Sequence, residues 1–422
     1  MRWWGHKSVV LVLSCGIAIA GCAGDDGDDA ATATVPPTTV AVATTSVATT
    51  AGATTSRQPD PFVAEQVVAG DQHVCALTSD GTAYCWGYNR QGQLGDGTNT
   101  DRKVPTPVAG STKFARLAAG RYFTCGLTSA GATWCWGDNS SGQLGNGTTG
   151  AGNDSTNKNT PGLASGNVVL QSIVAGQLHV CGVNAAGAAY CWGAYPSGQL
   201  GNASGSDQTV PGRSAAALTL KALALGGDNH TCGLTTADGT AWCWGNNTFG
   251  QLGDGKKSNA GQREPSTVTG GLKFAALALG RTHTCGLIAD GSAHCWGSNA
   301  QGQLGDGSVV ERLAPVRAAP ALKFASLTAG DSQTCGVTSD GAAWCWGNNA
   351  FGQLGSGTAG GQQTGAVAVV GGIKFASVSA GEEFTCGVGT DKTVYCWGSN
   401  RAGWLGDGTD EQRPAPTKVK KP

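Results

Sequence analysis

Apolar and polar positions divide the 422-residue chain into three stretches of different character. Residues 9–20 are an apolar run preceded by Arg2 and Lys7. A helix needs about 20 apolar residues to span a bilayer, so this shorter run fits the core of an export signal occupying residues 1–21. Residues 22–61 are Ala, Thr, Val, Pro and Gly around an acidic cluster at Asp25, Asp26, Asp28 and Asp29, with no aromatic side chain before Phe62. Such a segment has little apolar surface to offset the entropy of ordering, and is expected to be an unfolded tether. From residue 62 the pattern becomes short apolar runs broken by Gly, Asn, Asp and Ser, which predicts short strands joined by turns.

Those strands recur as one unit. Its first copy is residues 67–98, VVAGDQHVCALTSDGTAYCWGYNRQGQLGDGT. The tryptophans of the Cys-Trp-Gly signature are Trp86, Trp136, Trp192, Trp244, Trp296, Trp346 and Trp397, separated by 50, 56, 52, 52, 50 and 51 residues. Each copy holds an apolar run ending in Ala-Gly or Leu-Gly, a strand ending near Ser-Asp-Gly, a strand ending in Cys-Trp-Gly, and a short Pro-X-X-Val strand. Four strands at this period make one blade, so residues 62–422 are expected to be an all-β, seven-bladed propeller. Residues 413–419, RPAPTKV, follow the last Gly-Asp-Gly-Thr with no hairpin after them. They are expected to join the first blade and close the ring, which removes exposed sheet edges.

The order Ala-Gly, His, Leu strand, Asp-Gly, Trp-Gly strand and Asn-X-X-Gly-Gln-Leu-Gly resembles the regulator of chromosome condensation repeat family, over nearly all of residues 63–419. The resemblance implies a propeller that serves as a binding platform. The family's activities range from guanine-nucleotide exchange to inhibition of secreted β-lactamases, so it does not imply one reaction. Residues 19–22, Ile-Ala-Gly-Cys, resemble the lipobox of bacterial lipoproteins, which implies cleavage before Cys22 and a lipid on its thiol. An ordinary signal peptide cut near Ala20 is the alternative reading.

Cysteine count sharpens this picture. Without Cys15 and Cys22, 14 of the 16 cysteines remain, two per repeat: Cys75 with Cys85, Cys125 with Cys135, Cys181 with Cys191, Cys232 with Cys243, Cys285 with Cys295, Cys335 with Cys345 and Cys386 with Cys396. If the three-residue loop Ser79-Asp80-Gly81 closes the first hairpin, Cys75 lies opposite Cys85 in a non-hydrogen-bonded pair, close enough for a disulfide. In the fourth hairpin the longer spacing is expected to sit in the turn. Disulfides point to an oxidising, extracytoplasmic compartment. Zinc is the rival, since His73, His179, His230 and His283 each lie two residues before a cysteine. Phe123, Gln333 and Phe384 occupy that position in other copies and no Cys-X-X-Cys occurs, so no metal is expected.

Charge excludes more than it suggests. With a net charge of -1 and no basic block there is nothing to neutralise phosphates, so nucleic acid is not an expected partner. The Gly-Asp-Gly-Thr loops at Asp96, Asp254, Asp306 and Asp407 lack the spaced carboxylates of a calcium loop and read as turns. No phosphate-binding glycine motif and no catalytic constellation is present, so neither cofactor nor enzymatic activity is expected. Aromatic residues that depart from the repeat are the candidates for partner contact: Tyr88, Tyr122, Tyr195, Phe249, Phe351, Phe384 and Trp404. The expected protein is a monomeric, envelope-anchored scaffold binding an extracellular or envelope protein, touching the membrane only through its lipid. A carbohydrate-binding or structural surface module is the alternative, and an exchange-factor-like regulator a more distant one.

Overall fold

A computed structural model describes residues 61–150, 154–202, 204–227 and 229–422. The expected export signal, Cys22 and the expected tether up to residue 60 lie outside the described residues. The remainder is built from seven four-stranded antiparallel sheets, one per repeat. In the first blade β1 (Gln66–Ala69), β2 (His73–Leu77), β3 (Ala83–Gly87) and β4 (Arg102–Pro107) pair in chain order. The other six blades repeat that order, and first strands of neighbouring blades touch all round the ring.

Sequence chemistry explains each blade. Thr78 and Thr82 close the first hairpin, with Gly81 at φ 80° in the left-handed position of the three-residue loop. From there Leu77 pairs with Ala83 and Cys75 with Cys85, whose Cα atoms are 4.1 Å apart in a disulfide. The other hairpins carry the same cross-strand bridge: Cys125 to Cys135, Cys181 to Cys191, Cys232 to Cys243, Cys285 to Cys295, Cys335 to Cys345 and Cys386 to Cys396. In the fourth, Cys232 still faces Cys243 because the extra residue lies in the turn, where Thr235 bonds Thr240.

Blades are joined by the Cys-Trp-Gly tryptophans, all fully buried. Each indole N–H donates to a carbonyl of the preceding blade's Gly-Gln-Leu-Gly loop, as Trp136 does to Gln93 at 2.9 Å. The same bond recurs at Trp192, Trp244, Trp296, Trp346 and Trp397. The loop glycine permits this approach: a Cβ on Gly95 would lie 2.6 Å from the Trp136 ring, and its φ is 68°.

Ring closure differs from the expectation. The last strand, Arg413–Lys418, pairs with Val394–Gly398 inside the seventh blade, not with the first blade. The loop after each third strand turns the chain back within its own blade, so the Pro-containing strand completes the repeat it ends rather than leading the next. Closure falls instead to residues 62–64. Ala64 N–H donates to Lys392 O, Val394 N–H to Phe62 O and Phe62 N–H to Val419 O, while Trp86 donates to Trp404 O across the same junction at 3.0 Å.

Candidate functional site at the channel mouth

Strands alternate in direction, so each blade sends its β1–β2 and β3–β4 type loops to one face of the ring. This is the loop face; the Ser-Asp-Gly turns and the blade connections form the opposite turn face. On the loop face the Ala-Gly ends of the seven first strands surround a cavity of about 90 Å³, whose lining shows that it lies on the axis. The residue after each Ala-Gly or Leu-Gly falls at one register, the rim: Asp71, Gln177, Gly227, Arg281, Asp331 and Glu382 line the cavity in blades one, three, four, five, six and seven, and Arg121 holds the same position in blade two.

Backbone bonds hold this rim. Asp71 N–H reaches Gly120 O at 3.4 Å, Arg121 reaches Gln177 O at 3.2 Å, Arg281 reaches Gly330 O at 3.2 Å and Asp331 reaches Gly381 O at 3.3 Å. Glycine is required for such contact, since a Cβ on Gly330 would lie 2.2 Å from Gly381 O. The scaffold therefore sets where each rim side chain starts, while leaving its chemistry open.

The rim is electrically lopsided. Asp331, Glu382 and Asp71 come from three consecutive blades, and Arg121 and Arg281 flank that acidic arc. Asp71 accepts from Gln177 Nε2 at 3.0 Å and lies 3.9 Å from Arg121 Nε, while Arg281 lies 3.5 Å from Asp331. Burial, followed by the charges of Glu382 and Asp331, pushes the Asp71 carboxyl up to about 7, and the two arginines offset this only in part. Glu382 accepts from Gln72 at 3.3 Å, and half-buried Glu383 pairs with Arg401 at 3.3 Å.

The aromatic candidates separate into two groups. The Tyr88 and Tyr122 rings lie 5.7 Å apart, tilted by 47°, beside the rim, with the Arg121 guanidinium 5.0 Å from the Tyr122 ring. Phe351 lies beneath Arg401 at 4.7 Å, and Phe249 is exposed. These four remain available on the loop face. The other three are corrected: Phe384, Trp404 and Tyr195 are buried, at 0%, 3% and 5% exposure, and offer no surface to a partner. Trp404 packs on Phe384 at 5.6 Å inside the junction of blades seven and one. Tyr195 occupies the place of Asn89 in the first blade, taking its N–H bond to an aspartate, here Asp207.

The remaining candidates are structural. The paired cysteines are all buried, and Cys135, Cys191, Cys295, Cys345 and Cys396 on the third strands sit as deep as their partners Cys125, Cys181, Cys285, Cys335 and Cys386 on the second. Each sulfur is taken up in a bridge, so none of them is a free thiol or a contact for a partner. His73, His179, His230 and His283 bond threonines of the next blade through Nε2 at 2.8–3.0 Å, and burial lowers each pKa to about 3. Asp96, Asp306 and Asp407 cap their own turns and pair with Arg102, Arg312 and Arg413. Among the described residues no cluster of His, Cys, Asp and Glu is placed to hold a metal ion. The charged rim escaped the sequence reading, although a signal was present: one register, directly after an invariant glycine, carries Asp, Arg, Gln and Glu.

A family model described as an RCC1-like domain matches residues 9–325. Models of the regulator of chromosome condensation (RCC1) repeat match residues 324–353, 375–403, 340–388 and 391–422. The ultraviolet-B receptor UVR8 of Arabidopsis thaliana is 31% identical over 256 residues, 60% of this chain and 57% of the receptor. The human E3 ubiquitin-protein ligase HERC2 is 30% identical over 300 residues, 58% of this chain but 6% of the ligase. The chain thus covers little over half of one curated relative and a small part of the other. Among solved structures, yeast RCC1 (Prp20) bound to Kap60 superposes with a TM-score of 0.71 at 21% identity, covering 85% of each chain. Human WBSCR16 superposes with a TM-score of 0.70 at 22% identity, covering 79% of this chain and 90% of that one. At these identities the two structures share a fold with this chain.

Proposed function

The chain belongs to the RCC1-like propeller family, and from that premise we propose that it is a non-enzymatic protein-binding platform whose contact surface is the loop face around the channel mouth. The observation that carries this reading is the rim: one register of the repeated scaffold bears different charges from blade to blade, beside the Tyr88–Tyr122 pair. Fixed backbone with varied side chains is how a rigid scaffold presents a recognition surface. The solved complex of Prp20 with Kap60 is consistent with protein binding by this fold. We further propose export and anchoring through a lipid on Cys22, which keeps the platform at the cell envelope; an N-terminal peptide of the mature protein lacking an acyl mass on Cys22 would contradict it.

The test is cross-linking and affinity capture from the native envelope with residues 60–422 as bait, alongside two variants. Charge reversal on the rim, Asp71→Lys with Glu382→Lys, is expected to abolish enrichment of a protein that wild-type bait captures. Reversal on the turn face, Asp290→Lys with Lys323→Asp, is expected to leave it unchanged. Enrichment of glycan alone would turn the reading towards a carbohydrate-binding module, and a partner indifferent to the rim would contradict the placement of the site.

A further inference from the structure

The turn face carries one ion-pair device at four of its seven blade junctions; it is missing between blades three and four, where Ala186 and Thr219 take the two positions, between blades seven and one, where Val63 faces Asp391, and between blades two and three. Between blades one and two the hairpin-turn Asp80 pairs with Lys113 of the connecting segment. The same ion pair, Asp238–Lys273, Asp290–Lys323 and Asp340–Lys374, closes three further junctions. Between blades two and three the equivalent residues are Ala130 and Val169, because Leu170 N–H bonds Gly131 O just as Phe114 N–H bonds Gly81 O. Phe114, which seals the first junction against Trp136, is itself replaced by Leu170. The recess that measures about 40 Å³ at the first junction opens to about 180 Å³ here.

Its walls are largely aliphatic, and no carboxylate is among the residues that line it. Leu163 is 50% exposed and Val169 64%, and Pro211 of blade three completes the outer wall. Two such side chains would gain from burial against a partner, and the sibling junctions show that the fold tolerates charge there. Between residues 111 and 206 the only carboxylates are Asp138 and Asp154, both in loops that follow the third strand of blade two, on the loop face. Leu170 also lines an adjoining inner recess that holds Arg116, whose exposed guanidinium has no side-chain partner among the described residues. An unpaired cation at the inner end, an aliphatic slot at the outer end and no carboxylate in the lining of either recess complement one chemistry.

We propose that this groove between blades two and three is a second docking site, taking an extended acidic peptide segment of a partner protein, with an aliphatic side chain in the slot and a carboxylate on Arg116. It is distinct from the rim on the opposite face. The loop-face reading stands or falls without it.

The probe is a fluorescein-tagged, acetylated decapeptide of alternating aspartate and leucine, titrated with residues 60–422 by fluorescence anisotropy at low salt. Ala130→Asp with Val169→Lys writes in the residues that four sibling junctions already carry, so the variant is expected to fold with unchanged or higher Tm. It is expected to weaken the peptide by about tenfold or more, and Arg116→Glu by a similar factor together with a smaller salt dependence. A lysine–leucine decapeptide is expected to bind about tenfold or more weakly than the acidic one. Equal binding by the double variant, or no saturation up to about 1 mM, overturns the proposal. Two other outcomes also overturn it: saturable dodecanoate binding without peptide binding, which assigns the slot to a lipid, and self-association abolished by the double variant, which assigns it to a second copy.

Discussion

Individual side chains in this ring answer to a neighbour about 50 residues away rather than to their own repeat. Where His stands two residues before the first cysteine, the next blade offers Thr, as in His73–Thr124 and His179–Thr231. That hydroxyl in turn donates to the preceding loop, Thr124 to Gln93 O and Thr231 to Gln199 O. Where Phe stands there, at 123 and 384, the next blade carries Val180 and Val74, and each pair is buried in one cluster. The polar pair and the apolar pair are therefore interchangeable only as pairs. His179→Phe alone is expected to cost roughly 1–3 kcal/mol, because Thr231 keeps a buried acceptor with no donor. Adding Thr231→Val is expected to recover about 1 kcal/mol or more in a denaturant double-mutant cycle. Strict additivity would show that the two sites do not communicate. The same coupling explains why Phe384 and Trp404 stood out as departures yet proved to be core: each compensates a change across the ring junction, which copies read one at a time do not reveal.

Buried imidazoles also set a pH response. Above the ordinary histidine value of 6.5 both folded and unfolded chains hold them neutral; between 6.5 and about 3 only the unfolded chain takes up protons. Stability is therefore complete above that window, falls as pH drops through it and levels off below. Asp71 acts in the opposite sense, since its carboxyl is raised from 3.8 to about 7 and its ionisation costs stability as pH rises through that interval. Four imidazoles outweigh one carboxyl, so urea unfolding across pH 4 to 7 is expected to show net loss of stability towards acid, less steep in the His179→Phe, Thr231→Val pair. An acid limb of unchanged slope in that pair would contradict the assignment.

Elements were legible to different degrees. Hairpins could be read residue by residue, because a turn of known length and a side-chain period of two leave one register, and the cysteines confirm it at Cys75↔Cys85 and again at Cys232↔Cys243. Each bridge closes a loop of ten or eleven residues, and contributes about 2–3 kcal/mol in the chain-entropy model. The fourth strand was not legible in this way. Pairing between β3 and β4 shifts register between Cys85 and Gly87, and the strand contains Pro105, so neither alternation nor a hydrogen-bond ladder marks its partner. Giving its last copy, residues 413–419, to the first blade moved the closure of the ring from residues 62–64 to the C-terminus. What locates it is the long loop carrying Asn89, whose side chain gathers Leu94 N–H, Thr98 O and Thr100 O and folds the chain back on its own blade.

The seven blades form a closed ring with two unlike faces. Its repeats supply nearly all the stability through hairpins, indole bonds and blade contacts, which frees two sets of positions from structural duty: the rim after each Ala-Gly, and the junction where Ala130 and Val169 replace an ion pair. Fold and blade count follow from periodicity, which is repeated seven times. The sites lie where periodicity is broken, and become visible only when the ring brings one register of every blade to a common axis. The most direct measurement is amide hydrogen exchange of the ring with and without its captured partner. Protection concentrated at residues 70–72, 120–123, 281–282, 331–332 and 382–383 is the predicted result, and protection confined to the turn face with those loops unchanged would contradict a recognition surface at the channel mouth.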